Sequence, residues 1–276
     1  MVEMIERLLA FLDEDLGSGD VTSESTVPTG TKAQAVIVAK DDGVVAGCGE
    51  ASMLFDHFML EYDFKKRDGE RISDGEVLAE ISGDARSILK VERLVLNLIS
   101  RLSGVATLTD YYVSICKPCG VEIMATRKTT PGFRVFEKKA VEIGGGLRHR
   151  DGLYDGVLIK DNHLALVGLN EAIKQAKSKN HGLPVEVEVT TPEDAVKAVR
   201  LGADIIMLDN FTPDDAKGAV ETLEKEGLRG QVIIELSGGI NRDTVADYAR
   251  AGADRISLGS LTTDARWLDY SLQILG

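Results

Sequence analysis

Met4, Ile5, Leu8, Leu9 and Leu12 recur at three- and four-residue spacing, which predicts an amphipathic helix that stops near Gly17. The polar stretch Gly17-Ser18-Gly19-Asp20 reads as a loop. Ala33, Ala35, Ile37 and Ala39 then alternate with other residues, Asp41-Asp42-Gly43 offers a turn, and Val44-Val45-Ala46 resumes the apolar run. That pattern predicts a hairpin. A helix follows around residues 50–60, and short strands punctuated by Asp68-Gly69, Asp74-Gly75 and Gly83-Asp84 come next. A long helix with Leu94, Leu98 and Leu102 on one side runs to about Leu102, where Ser103-Gly104 interrupts it. Residues 1–105 read as an α+β domain.

From residue 106 to 276 the rhythm changes. Short β-branched runs at Val121–Met124, Gly156–Ile159, Val185–Val189, Asp204–Leu208, Val232–Leu236 and Arg255–Leu258 alternate with helical stretches such as Pro192–Leu201, Pro213–Glu226 and Asp243–Ala251. Repeated β-then-α units predict an α/β fold with a parallel sheet and right-handed crossovers. Six strands are too few for a complete eight-stranded barrel, so a smaller or open barrel of the TIM type is expected, with a doubly wound sheet as the alternative. The C-terminal end is expected to return to the first domain.

Composition narrows the function. The net charge of −13 argues against nucleic acid as a partner, and no apolar run approaches the roughly 20 residues that span a membrane. The acidic N-terminal stretch, with Glu3, Glu6, Asp13, Glu14 and Asp15, is unlike a signal or transit peptide, so a cytoplasmic location is expected. Between Arg127 and His163, however, eight Lys/Arg face five Asp/Glu. A local positive site in an acidic chain suits a small anionic ligand. Cys48, Cys116 and Cys119 are too few for a four-thiolate zinc site, and the pair at 116 and 119 follows a helical stretch; they read as ordinary thiols.

Chemistry gathers at the predicted strand ends. In βα barrels the carboxyl ends of the strands form the active-site face. Here they lead into Thr126-Arg127-Lys128, Lys160-Asp161-Asn162, Glu186 and Glu188, Asp209-Asn210, Ser237-Gly238-Gly239 and Gly259-Ser260. The two glycine-containing ends suit phosphate, because missing side chains let backbone N–H groups approach an anion at a helix N-terminus. Glu188 and Asp209 suit Mg²⁺ or a cationic sugar, or else ion pairs with the basic cluster. Arg127, Lys128, Arg148, His149, Arg150 and Lys160 suit carboxylate and phosphate, arginine by forked hydrogen bonds and lysine as a point charge. His57, His163 and His181 read as structural.

These residues resemble quinolinate phosphoribosyltransferases, also called carboxylating nicotinate-nucleotide pyrophosphorylases. The resemblance runs through nearly the whole chain. It is carried by Glu14-Asp15-Leu16-Gly17, Gly19-Asp20-Val21-Thr22, Glu92-Arg93, and Leu102-Ser103-Gly104-Val105-Ala106-Thr107. Its densest part is Thr126-Arg127-Lys128-Thr129-Thr130-Pro131-Gly132, Gly144-Gly145-Gly146, His149-Arg150, Gly152-Leu153 and Leu158-Ile159-Lys160-Asp161-Asn162-His163. Two positions depart from the family's usual pattern: Ala125, where Asp is common, and Arg148, where Asn is common.

The resemblance implies an N-terminal α/β sandwich, an open α/β barrel, and a homodimer or larger homo-oligomer with shared sites. It implies transfer of phosphoribose from phosphoribosyl pyrophosphate to quinolinate with Mg²⁺, giving nicotinate mononucleotide, pyrophosphate and CO₂. Carried over residue by residue, Arg127, His149, Arg150 and Lys160 would line the quinolinate site, with Arg93 arriving from a neighbouring subunit. Lys128, and Lys160 with it, would meet the pyrophosphate. Glu188 and Asp209 would face ribose and metal, and Ser237, Gly238, Gly239, Gly259 and Ser260 would hold the 5′-phosphate. Against this stand a related transferase acting on another ring without decarboxylation, a Schiff-base barrel using Lys160 or Lys128, and a non-enzymatic binding protein on the same barrel.

Overall fold

A computed structural model describes residues 2–179 and 182–275; His181 lies outside the described residues. The chain divides into two compact units, one comprising the residues up to Leu108 together with Ala265 onward, the other Thr109–Asp264.

In the first unit, α1 (Val2–Leu16) follows the predicted stripe, with Leu8 and Leu12 buried, and ends at Gly17 with φ +50°. The loop expected over residues 17–20 is present, and a short α2 (Val21–Thr26) follows it, capped by Asp20, which accepts a bond from the Ser23 N–H at 3.0 Å. Its Thr-Ser-Glu-Ser-Thr run has no apolar period, so only the cap signals it. The strands are β1 (Lys32–Ala39), β2 (Gly43–Val44), β3 (Glu61–Phe64), β4 (Arg71–Ile72) and β5 (Val77–Asp84), with α3 (Cys48–His57) after β2. The hairpin expected between residues 33–39 and 44–46 does not form. β1 pairs antiparallel with β5 and with the final strand of the chain, β12 (Tyr270–Leu275), while β2 pairs with β4. The C-terminal strand thus sits beside β1 in the first unit.

The expected break at Ser103-Gly104 is also absent. Helix α4 runs unbroken from Ala85 to Cys116. Both small residues are there for packing: Ser103 Oγ accepts from the Ala46 N–H and donates to the Ala46 carbonyl, and a Cβ on Gly104 would stand 2.1 Å from the Arg266 carbonyl oxygen. Close approach, and not a helix stop, selects glycine here.

The second unit carries the βα rhythm. Its strands are β6 (Glu122–Met124), β7 (Val157–Ile159), β8 (Val185–Val189), β9 (Ile205–Asp209), β10 (Ile233–Ser237) and β11 (Arg255–Ser257). Between them lie α5 (Arg134–Ile143), α6 (Asp161–Val167), α7 (Leu169–Lys179), α8 (Pro192–Arg200), α9 (Pro213–Lys225) and α10 (Val245–Ala249), with α11 (Ser260–Thr263) after β11. All six strands pair in parallel in the order β6-β11-β10-β9-β8-β7. Consecutive strands are neighbours and the first lies beside the last, without the reversal that defines a doubly wound sheet. This is barrel order, opened between β6 and β7.

Register explains what the barrel can hold. Val185, Val187 and Val189 of β8, Ile206 and Leu208 of β9, and Ile234 and Leu236 of β10 are buried on the helix side, where α7 and α8 pack. Their partners in alternation, Glu186 and Glu188, Met207 and Asp209, Glu235 and Ser237, therefore share the inner face. Threonine caps set the helices that follow: Thr191 and Thr212 each accept a backbone N–H three residues on, with proline in the first turn of α8 and α9. No described helix is long and apolar enough to cross a membrane.

Candidate active site

The inner residues and the loops after the strands enclose a cavity of roughly 900 Å³, open on one side. Every one of the six strands contributes at its carboxyl end, so the edge strands must curve round to face one another. Arg127, Lys128, His149, Arg150, Lys160, Glu188, Asp209, Ser237, Gly238, Gly239, Gly259 and Ser260 all line it. Arg93 lies in the first unit, exposed on α4.

One wall is cationic. Arg127 and Arg150 come close enough to interact, and Arg150 has its pKa lowered by burial first and then by repulsion from Arg127. Arg127 Nε is buried without a hydrogen-bond partner among the described residues. Two guanidiniums held together in this way favour an anion with more than one carboxylate or phosphate oxygen. Lys160, half-exposed at the end of β7, is ion-paired to Glu188 Oε1. Lys128 crosses directly over Gly259, where a Cβ would stand 2.7 Å from Lys128 Cδ, and the Lys128 carbonyl accepts from Thr262 Oγ1 at 2.5 Å.

Acidic residues and glycines share the lining with these cations. Asp209 accepts from Asn210 Nδ2 at 2.7 Å, and Asn210 itself has φ +58°. Gly238, with φ +91°, lies so near Asn210 that a Cβ would meet its Oδ1 at 2.2 Å. The expected helix N-terminus after Ser237-Gly238-Gly239 is not there, since α10 starts only at Val245 and has five residues. Gly259-Ser260 does lead straight into a helix, but one of four residues. These strand ends offer an anion close backbone approach with little helix dipole behind it.

The basic window is smaller at the cavity than its sequence suggests. Arg148, expected among the anion-binding cations, is bound to Glu142 at 2.9 Å and Asp151 at 3.2 Å and does not line the cavity. Its departure from the family pattern therefore falls outside the lining, whereas Ala125 lies within it, 1 % exposed. Lys138 is buried beneath the loop. His163 accepts the Lys160 N–H on Nδ1 at 3.0 Å, a structural bond at the start of α6, and also lines the cavity. His57 is exposed on α3.

Sequence reasoning named His149 and Glu186 but missed Glu235 and the contact that joins the three on the cavity floor. His149 Nε2 lies 3.1 Å from Glu186 and 3.4 Å from Glu235, two carboxylates that are almost fully buried. Burial opposes a charged ring, but the two neighbouring carboxylates, Glu186 first, outweigh it and pull the pKa up to about 9. A second proton would have to sit on Nδ1, which instead accepts the Arg150 N–H at 2.7 Å. Nε2 thus carries a proton directed at the carboxylates, and the Arg150 N–H at Nδ1 opposes the second proton that the raised pKa favours. For the same reason these three residues, although within 4.8 Å of one another, make a poor metal site: neither ring nitrogen has a lone pair to spare. The signal available in sequence was the inward alternation, which puts Glu186 and Glu235 two residues before Glu188 and Ser237.

An open parallel barrel with cations, carboxylates and glycine strand ends sharing one cavity defines an enzyme of the anion-handling barrel class. Residues 20–103 match the N-terminal domain of quinolinate phosphoribosyl transferase and residues 105–273 its C-terminal domain. The chain belongs to this family. It is 48% identical over 260 residues to a probable carboxylating nicotinate-nucleotide pyrophosphorylase of Archaeoglobus fulgidus, covering 93% of this chain and 98% of the relative. With the protein of the same description from Methanothermobacter thermautotrophicus it shares 43% identity over 277 residues, 99% of each chain. Among solved structures, NadC from Streptococcus pyogenes superposes with a TM-score of 0.93 at 36% identity, over 100% of this chain and 98% of that one.

Proposed function

We propose that this cavity transfers phosphoribose from phosphoribosyl pyrophosphate to quinolinate and releases CO₂, forming nicotinate mononucleotide and pyrophosphate. The observation that carries the reading is the charge pattern of the lining: the cations Arg127, Arg150, Lys160 and Lys128 share one cavity with Glu188, Asp209 and the glycine strand ends. A planar dianion fits between the guanidiniums. The 5′-phosphate goes to Ser237, Gly238, Gly239, Gly259 and Ser260, and the pyrophosphate to Lys128, with Lys160 at its edge. His149 supports the quinolinate site from beneath, since both its ring nitrogens are engaged within the protein.

The chemistry follows from where charge develops. The quinolinate ring nitrogen attacks C1 of the ribose as the bond to pyrophosphate breaks. Glu188 and Asp209 stabilise the positive charge growing on the sugar, and Lys128 the negative charge on the leaving group. The ring nitrogen is then quaternary, so the electron pair freed when the adjacent carboxylate leaves as CO₂ is held beside it, and a proton is taken up at that carbon. Arg127, Arg150 and Lys160 fix the dianion throughout. The oxygen donors of Glu188 and Asp209 fit Mg²⁺, a hard cation that takes one or two carboxylates together with substrate phosphates and water. When bound, it supplies neutralisation of the pyrophosphate.

Incubation with quinolinate, phosphoribosyl pyrophosphate and Mg²⁺ should release CO₂ and pyrophosphate in equal amounts. Turnover without divalent metal, or efficient turnover of nicotinate in place of quinolinate, would overturn this reading. We also assign Arg93 to the quinolinate pocket of a neighbouring copy, a role carried by the family resemblance and by its exposure on α4. Arg93→Ala and Lys160→Ala, each inactive alone, should regain activity when dissociated and remixed. Verified mixed oligomers that stay inactive would refute the shared site.

A further inference from the structure

Helix α5 carries three charged side chains, Arg134, Glu137 and Lys138, that do not line the cavity. Glu137 and Lys138 are fully buried. Lys138 Nζ donates to the carbonyl of Arg148 at 2.6 Å and to that of Arg150, with Asp151 Oδ1 at 3.6 Å. Between those two carbonyls sits His149 with φ +52°, a left-handed conformation that is strained for a non-glycine residue. One turn away, Arg134 Nη1 donates to the Asp151 carbonyl at 2.9 Å and its Nε to Thr129 Oγ1 at 3.0 Å. Glu137 accepts from Thr130 N–H at 2.9 Å and Thr130 Oγ1 at 3.0 Å. The helix thus grips two loops. One bears Arg127 and Lys128, the other His149 and Arg150.

We propose that Lys138 is a positioning residue for the quinolinate site, gripping the carbonyls on either side of His149 and so fixing the left-handed turn that aims Arg150 into the cavity. The inference rests on the function proposed above. Stability alone is a poor reason for an ammonium at this depth. Burial pushes its pKa down to about 8, and an apolar residue of the same length would avoid that cost. What an apolar side chain cannot do is bind two carbonyls that point at one spot. The ammonium has the three donors and the reach to do it. Arg150 is then fixed from three sides: by its own carbonyl on Lys138, by its N–H on His149 Nδ1, and by its guanidinium Nη1 on the Gly156 carbonyl at 3.3 Å. Glu137 holds the other loop, so the two side chains have separable effects.

The test compares Lys138→Met with Glu137→Ala. Wild type is assayed first, and CO₂ release from quinolinate checks the underlying function independently; calorimetric titration with quinolinate then reads binding with or without turnover. Lys138→Met should raise the quinolinate Kd and KM by about 10- to 100-fold, the loss expected for misplacing a positioning group by about 1 Å. Its KM for phosphoribosyl pyrophosphate should change by less than about 3-fold, because Lys128 and the glycine strand ends are untouched. Glu137→Ala should raise both KM values, since Arg127 and Lys128 share its loop. Equal effects of Lys138→Met on both substrates, or none on quinolinate, would overturn the proposal. Circular dichroism verifies folding, and Lys138→Arg and Glu137→Gln stand in for either variant that does not fold. Collapse of all four would assign the pair to stability alone and overturn it as well.

Discussion

The two sheets of this protein use their faces in opposite ways. In the first unit, β1 buries Ala35, Ile37, Val38 and Ala39, and β5 buries Leu78, Ala79 and Ile81, so aliphatic side chains occupy both sides of the strands at their centres. In the second unit the strands segregate. Valine, leucine and most of the isoleucines line the helix side, while Glu186, Glu188, Glu235 and Asp209 share the inner side with Ile205, Met207 and Ile233. A parallel sheet wrapped in helices can draw its hydrophobic stabilisation from the outer face alone. That leaves the inner face free for groups that stability would exclude. The cost shows on the floor, where Glu186 Oε1 and both Glu235 oxygens lack hydrogen bonds among the described residues.

If this division holds, substitutions on the two faces of one strand should fail differently. Ile206 is fully buried on the outer face of β9. Ile206→Ala should lower unfolding free energy by about 2–5 kcal/mol, read by urea denaturation, with kcat of the folded fraction within about twofold of wild type. Inner-face Glu188→Gln should do the reverse. On the proposed mechanism it removes a charge that stabilises the sugar as it becomes cationic, so kcat should fall on the order of 10²–10³-fold, with stability changed by no more than about 1 kcal/mol. Lys160, left without its partner, is half-exposed and can be solvated. Equal loss of stability from both variants would break the comparison.

A subtler probe lies at the rim. Gly259 has an ordinary negative φ of −67°, so alanine adds no backbone strain there; its Cβ would displace only the flexible Lys128 stem. Gly259→Ala should leave the melting temperature within a few degrees and raise the KM for phosphoribosyl pyrophosphate about tenfold. An unchanged KM would remove Lys128 from the pyrophosphate site.

The same division decides what could be read from the sequence. The βα rhythm was visible because the outer-face residues of Val185–Val189 and Ile205–Asp209 must be β-branched or aliphatic for the helices to pack. The site was visible because strand ends in a barrel converge, whatever the connections between them. Pairing in the first unit was not: β1 finds its partners 40 and more residues away, at β5 and β12, and a local turn signal at Asp41-Asp42-Gly43 carries no trace of that choice. Nor could Ser103-Gly104 be told from a helix stop, since its partners Ala46 and Arg266 are distant in sequence. Within the basic window, sequence shows charge but not direction. Arg127 and Arg150 reach the cavity, while Arg148 and Lys138 turn away from it.

Among the described residues Lys138 is the one ammonium that the second unit buries fully, and it gives the comparison its smallest and most specific test. Burial is the main cause of its depressed pKa, opposed by Asp151 and reinforced by the like charges of Arg148 and Arg134. The folded value, about 8, lies below the ordinary lysine value of 10.5 that holds in the unfolded chain. Below pH 8 the group is charged in both states, and the folded state bears the full cost of burial. Between about 8 and 10.5 the unfolded chain binds more protons, so this group's contribution to stability rises with pH. From pH 7 to pH 9 the rise should be about 1 kcal/mol for a single group of this kind. Wild type should therefore gain about that much relative to Lys138→Met when urea unfolding is measured at the two pH values, because titrations common to both proteins cancel. A flat difference would mean that the ammonium is solvated, and a fall would mean that its pairing with Asp151 outweighs its burial.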